Sequence, residues 1–115
     1  MQEYKNIHCE EKRIKESSRI MNKYPDRIPI IVCRAEGCQI EMIDKQKFLV
    51  PKDMTIGQFI YIIRKRINLK PDEALFVLVN NTLQPSSVTI SEVYENQADK
   101  DGFLYVVYSS ENTFG

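Results

Sequence analysis

The sequence predicts an α+β fold: a mixed four-stranded sheet gripping one principal helix, with one or two further helices ahead of it. Three observations predict it. The runs IPIIVC at 28–33 and LFVLV at 75–79 are almost continuously apolar, as in strands covered on both faces. Between them, residues 56–67 carry apolar side chains at helical spacing. Residues 2–23 are instead dominated by Lys, Arg and Glu. With 115 residues, 43% hydrophobic and 28% charged, the chain is sized for one domain around one core.

In residues 2–23, Tyr4, Ile7, Ile14, Ile20 and Met21 are too thinly spread for a self-sufficient core helix. One or two amphipathic helices packed on something else are predicted, with Glu11 and Lys15 paired at i,i+4 and an end before Pro25. Ile28–Cys33 reads as a central strand, with Pro29 near its start, where sheets tolerate proline. RAEGCQ, containing Gly37, is a turn, and KFLVP at 47–51 is a short strand closed by proline, which suggests a hairpin. Thr55 and Gln58 form a capping box, after which Ile56, Phe59, Ile60, Ile63 and Ile67 define the clearest helix. After the 75–79 strand, Asn80 and Asn81 form a turn, and Thr89 with Glu92 caps a short helix running to about Glu95. Asp99–Gly102 is a turn, and FLYVVY at 103–108 is the last strand. SSENTFG at 109–115 carries too little apolar surface to pack and is predicted to be a flexible tail. The expected organisation is therefore a helical extension over 1–25, a core over 26–108 and a tail over 109–115. From Ile28 onward the order is strand, strand, helix, strand, short helix, strand, which is the β-grasp order of ubiquitin.

Sixteen basic and sixteen acidic residues cancel, so no overall field draws the chain to nucleic acid or an anionic membrane. The charges are nevertheless segregated. Lys45, Lys47, Lys52, Arg64, Lys65 and Arg66 face only Asp53 between 45 and 66, whereas acids predominate from 67 onward. No apolar run approaches the roughly 20 residues that span a bilayer, and the N-terminus has no signal-peptide core, so a cytoplasmic start is expected. Cys9, Cys33 and Cys38 give no CxxC spacing, so reduced thiols are expected rather than a disulfide framework or a zinc site, with Cys38 the most exposed.

The residues offer little catalytic chemistry. The single histidine, His8, lies in a polar segment beside Cys9 and reads as a surface residue next to a partly buried thiol rather than as a Cys-His pair. Gly37, Gly57, Gly102 and Gly115 are scattered singly, so no phosphate loop or dinucleotide fingerprint is present and no cofactor is expected. Asp72 and Glu73, like Asp99 and Asp101, read as solvated turn acids rather than metal ligands. The RKR cluster at 64–66 complements the dipole at its helix end and also adds to the basic region around Lys45 and Lys47.

YPDRIPIIV at 24–32, DKQKFLVPKDMTIGQF at 44–59, IRKRINL at 63–69, FVLVNN at 76–81 and the final FG together resemble the autophagy-related protein 8 family. This is the group containing GABARAP and the microtubule-associated light chains, and the GABARAP-like branch is the nearer. The resemblance covers about residues 10–115. It implies a ubiquitin-like modifier, not an enzyme, with two extra N-terminal helices on the open face of the sheet. Gly115 would be activated by an E1-like enzyme with ATP, passed as a thioester to an E2-like enzyme, and joined to phosphatidylethanolamine on the autophagosome membrane. Phe114 would be gripped by the processing and conjugating enzymes. A cysteine protease is implied too, because family members carry residues after the glycine that it removes. Glycine suits this chemistry physically, since without a Cβ it threads a narrow channel and leaves its carboxyl open to nucleophiles.

The resemblance also implies a groove for short peptides of the form aromatic, two residues, then Leu, Ile or Val, flanked by acids. Such a peptide, from an autophagy receptor, would add a strand to the edge around Lys45–Val50. Matching positions put Glu16, Ile20, Pro29, Ile31, Lys47, Leu49 and Phe103 around an aromatic pocket. Phe48, Val50, Pro51, Met54, Phe59, Ile62 and Ile63 would line an aliphatic pocket, with core the larger share for Phe59 and Ile63. Arg27, Lys45 and Arg66 would form a charged rim. A monomer is expected, with membrane or tubulin contact by Lys12, Arg13, Lys15, Arg19 and Lys23 as a further expectation.

Overall fold

The computed structural model describes residues 2–110. Along the chain these form α1 (Gln2–Ile7), α2 (Glu10–Lys23), β1 (Arg27–Arg34), β2 (Lys47–Pro51), α3 (Ile56–Arg66), β3 (Phe76–Val79), β4 (Thr82–Leu83), α4 (Ile90–Gln97) and β5 (Leu104–Ser109). The sheet runs β2-β1-β5-β3-β4, with β1 parallel to β5 and its other pairs antiparallel. This is the ubiquitin-like α+β fold with two helices added at the N-terminus.

The sheet has five strands where the sequence predicts four. Asn80 and Asn81 both adopt positive φ, 51° and 62°, the geometry of a two-residue hairpin turn. Thr82 and Leu83 therefore fold back on Leu78 and Val79. Two exposed residues carry no alternation, so their sequence does not announce a strand. At the other end, β5 includes Ser109, which is buried and not part of a tail.

Alternation along β1 divides the core between the two faces of the sheet. Ile28, Ile30 and Val32 join Phe48, Val50, Leu104 and Val106 against Ile56, Phe59 and Ile63 of α3 and Ile90 and Val93 of α4. Ile31 and Cys33 join Tyr4, Phe103 and Tyr105 on the other face, with Ile20 of α2 packed against them. The α3 capping box forms in both directions, Gln58 N–H to Thr55 Oγ1 at 3.2 Å and Thr55 N–H to Gln58 Oε1 at 2.9 Å.

Polar contacts, more than apolar ones, hold α2 in place. Arg13 and Ser17, one turn apart, are its buried residues, whereas Ile7 and Ile14 of the expected apolar face are exposed. Arg13 Nη1 donates to Asp101 Oδ2 at 2.5 Å, Tyr105 Oη donates to the same oxygen at 2.5 Å, and Phe103 N–H donates to Asp101 Oδ1 at 2.9 Å. Ser17 Oγ donates to the Asp101 carbonyl at 2.5 Å. Burial pushes the Tyr105 hydroxyl far above the usual phenol range, as does its hydrogen bond to the Asp101 carboxylate. Next to it, Lys5 Nζ meets Asp99 Oδ1 at 2.5 Å. Burial works to raise the Asp99 carboxyl, but the bonds from Lys5 and the Asp101 N–H hold it below the ordinary range.

Asp101 is thus not a solvated turn acid, and Arg13 is not part of an exposed basic face. Asp101 is 1% exposed, and its hydrogen bonds explain how a carboxylate is kept there. Gly102 completes the arrangement with φ of +91° and no room for a side chain: a Cβ there would lie 2.4 Å from Ser17 Oγ. Gly102→Ala should therefore lower stability by about 2 kcal/mol in urea unfolding. Hydrogen exchange should accelerate in α2 well before it does in α3.

Candidate functional site

β2 is an edge strand, hydrogen-bonded to β1 along one side only. Its five residues send side chains to opposite faces in turn. Lys47 and Leu49 point toward α2, and Phe48 and Val50 toward α3. The edge therefore presents a different set of side chains on each side.

On the α2 side, Lys47 Nζ is paired with Glu16 Oε1, bridging the strand and the helix across the lip. Both groups are partly exposed, so the pair is screened and weak. On this face Ile31 and Phe103 share one buried cluster with half-buried Ile20 packed against it, and Pro29 is buried opposite Leu49. The seven positions expected for an aromatic pocket are thus contributed by α2, β1, β2 and the residue just before β5. Of these, Ile31 and Phe103 are buried, at 0% and 1% exposure.

On the α3 side, Phe48 meets Phe59 edge-on, ring centroids 5.6 Å apart. Lys45 Nζ lies 5.0 Å from the Phe48 ring centroid and Arg66 Cζ lies 5.7 Å from it, so two of the expected rim cations cover this ring. Arg66 also pairs with Asp44 at 3.1 Å. Arg27, the third rim cation, is exposed opposite Pro51 at the far end of the strand. Pro51, Met54 and Ile62 line an open cleft of about 790 Å³, shared with Thr55, Gln58, Tyr61 and Ser86. Phe59 and Ile63 are fully buried and belong to the core. Within the RKR cluster the roles divide. Arg66 faces this rim, whereas Arg64 donates 2.8 Å bonds to the Lys70 and Glu73 carbonyls and fixes the loop after α3.

A second cavity of about 280 Å³ lies between α1 and the 42–46 loop, lined by Tyr4, Ile7, Cys33, Arg34, Met42 and Gln46 among others. Nothing in the sequence marks it, because its walls come from three separate segments. His8 is half-buried, with its ring 4.5 Å from that of Tyr4. Cys9 is the exposed thiol and Cys38 is partly buried, the reverse of the expectation, because Cys38 packs under the 109–110 segment. Burial raises the Cys38 thiol, but hydrogen bonds from Ser110 and its neighbours outweigh this and leave it below the usual range. Among the described residues no group of three or more His, Cys, Asp or Glu is arranged to hold a metal ion. None of the described helices is long and apolar enough to cross a membrane. Phe114 and Gly115 lie outside the described residues.

The profile of a family described as "Autophagy protein Atg8 ubiquitin like" matches residues 12–115. Autophagy-related protein 8d of Arabidopsis thaliana is 54% identical over 112 residues, covering 97% of this chain and 93% of that protein. Autophagy-related protein 8 of Mycosarcoma maydis is also 54% identical, covering 97% and 95%. The crystal structure of Trypanosoma brucei ATG8 superposes with a TM-score of 0.90 at 44% identity, covering 97% of both chains.

The two ion pairs on α2 should behave differently under mutation. Asp101→Asn leaves Arg13 buried without a counter-charge and should cost about 3 kcal/mol or more in urea unfolding. Glu16→Gln, at the partly exposed lip, should cost less than about 1 kcal/mol.

Proposed function

Because the chain belongs to the Atg8 family of autophagy ubiquitin-like proteins, we propose that it is a modifier joined through Gly115 to phosphatidylethanolamine on autophagosomal membranes, where it recruits receptors bearing linear motifs. The observation that carries this reading is the family match running through to residue 115. A free carboxylate is a poor electrophile. ATP-dependent adenylation by an E1-like enzyme, then transfer to the thiol of an E2-like enzyme, gives a thioester. The lipid amine attacks that thioester, forming an amide and releasing the thiol. Phe114 is the apolar grip for these enzymes and for a cysteine protease that processes or reverses the linkage. In this reading the chain is substrate and adaptor rather than enzyme. It moves from the cytoplasm to the autophagosome membrane when lipidated.

Receptor capture would use the β2 edge. An extended peptide adds main-chain hydrogen bonds along Lys47–Pro51, with its aromatic residue in the Glu16, Ile20, Pro29, Ile31, Lys47, Leu49 and Phe103 pocket. Its aliphatic residue enters beside Phe48, Val50, Pro51, Met54 and Ile62. Arg27, Lys45, Lys47 and Arg66 attract the acids that flank the motif. A second reading, an adaptor that binds motifs and is never conjugated, is favoured by the groove's being built wholly from residues 16–103, without the tail.

Incubation with the family's E1-like and E2-like enzymes, ATP and phosphatidylethanolamine liposomes separates the two readings. The modifier reading expects a faster-migrating band on denaturing gels that is lost with Gly115→Ala. No band, or the same band from both proteins, would leave only the adaptor.

A further inference from the structure

The cavity between α1 and the 42–46 segment lies at the end of the sheet where β5 finishes. The β1–β2 ladder stops at Ile31 and Lys47, with one further bond from Val32 N–H to the Gln46 carbonyl at 2.8 Å. Past that point Cys33 and Arg34 of β1, Met42 and Gln46 of the connection, and Tyr4 and Ile7 of α1 border a space of about 280 Å³. This is just below the roughly 300 Å³ at which pockets for small molecules begin, and it suits a single large side chain.

Three of its polar side chains are already engaged. Gln46 Nε2 donates to Cys33 Sγ at 3.8 Å, Arg34 Nη1 donates to the Ile40 carbonyl at 3.0 Å, and Asp44 accepts from Arg66 at 3.1 Å. The rim, by contrast, is apolar and bare: Ile7 is 71% exposed and Met42 is 58% exposed. Two large apolar side chains left in water around one cavity form a patch that favours an apolar occupant.

The residues after Ser110 can reach it. β1 lies between β5 and β2 and runs parallel to β5, with Arg34 beside Tyr108, so β5 ends where the cavity opens. Beyond Tyr108 the chain is drawn toward the β1–β2 connection. Ser110 N–H donates to Cys38 Sγ at 3.4 Å, and the Tyr108 hydroxyl is held by the Glu41 carbonyl and Ile43 N–H. Crossing from β5 over β1 to the cavity takes two strand spacings, about 10 Å, and the four residues from Ser110 to Phe114 extend up to about 14 Å. Within 111–115, ENTFG, Phe114 is the one large apolar side chain.

We propose that Phe114 docks in this cavity, between Ile7 and Met42, and so holds the tail back against the domain. The ring and the rim remove apolar surface from water, at the expense of ordering residues 111–115. These two effects oppose one another, so the docked tail exchanges with a free one. Phe114 is also the grip for conjugating enzymes in the function proposed above, and docking then competes with their capture of the tail. That consequence rests on the proposed function, whereas the docking does not.

Nuclear Overhauser spectra of the isotope-labelled 115-residue protein test the docking without any enzyme, so the result is independent of whether Gly115 is conjugated. Contacts should appear between the Phe114 ring protons and the methyl groups of Ile7 and Met42. Phe114→Ala should shift the amides of Ile7 and of residues 42–46. Met42→Glu, a change at an exposed position, should shift the amides of residues 112–114 while those of α3 stay in place. If Phe114→Ala shifts only residues 110–115, the tail does not dock and the inference falls. If the contacts arise only between differently labelled copies in a mixed sample and fade on dilution, the cavity takes a second copy's tail, which overturns it equally.

Discussion

The Asp101 carboxylate is the constraint on which the rest of the arrangement depends. A β-grasp sheet has one face covered by its own helix, and here the second face is covered by α1 and α2, which have little apolar surface to offer. Arg13 and Ser17 replace that surface with a buried ion pair and hydrogen bonds to the turn before β5. A buried pair contributes modest net stability, yet breaking it is expensive, commonly about 3–5 kcal/mol, because the orphaned charge stays desolvated. Such a clasp suits positioning better than bulk adhesion. It fixes which face of α2 meets the sheet and places Glu16 opposite Lys47.

The groove follows from that placement. Were α2 rotated by one residue, Glu16 would leave Lys47 and Ile20 would leave the cluster of Ile31 and Phe103, so the proposed aromatic pocket would lose one side. The opposite side depends on different physics, the burial of Phe59 and Ile63 of α3 under Phe48 and its two covering cations. One exposed strand edge thus lies between a polar-clasped helix and an apolar-packed one. Unpaired strand edges invite pairing with another chain, and the cations around this one favour an acidic peptide over a second copy of a neutral protein.

Much of the fold was legible in the sequence wherever apolar period and cap chemistry agreed. Thr55 with Gln58, Ile56 through Ile67, and the doubly buried β1 all follow from patterns that local sequence enforces. The 44–59 and 63–69 motifs located β2 and α3 in order. What could not be read was long-range and polar. Arg13 and Asp101 are 88 positions apart, and a charged residue in a charged helix looks solvated until its partner is known. Of the apolar residues expected to pack, Tyr4 and Ile20 do so, whereas Ile7 and Ile14 are exposed and Arg13 and Ser17 are buried in their stead. The strand β4 escaped because a turn, not a pattern, creates it. For the proposed groove, resemblance named the residues, but only coordinates separate buried ones, such as Ile31, from partly exposed ones, such as Lys47.

An NMR titration of the isotope-labelled protein with an acid-flanked peptide carrying an aromatic residue and a leucine three positions later tests most directly whether the β2 edge is the capture surface. The largest amide shifts should fall on Lys47–Pro51, with Glu16 and Ile20 on one side and Ile62 on the other. Largest shifts at the opposite edge, Thr82–Leu83, with Lys47–Pro51 silent, would contradict it.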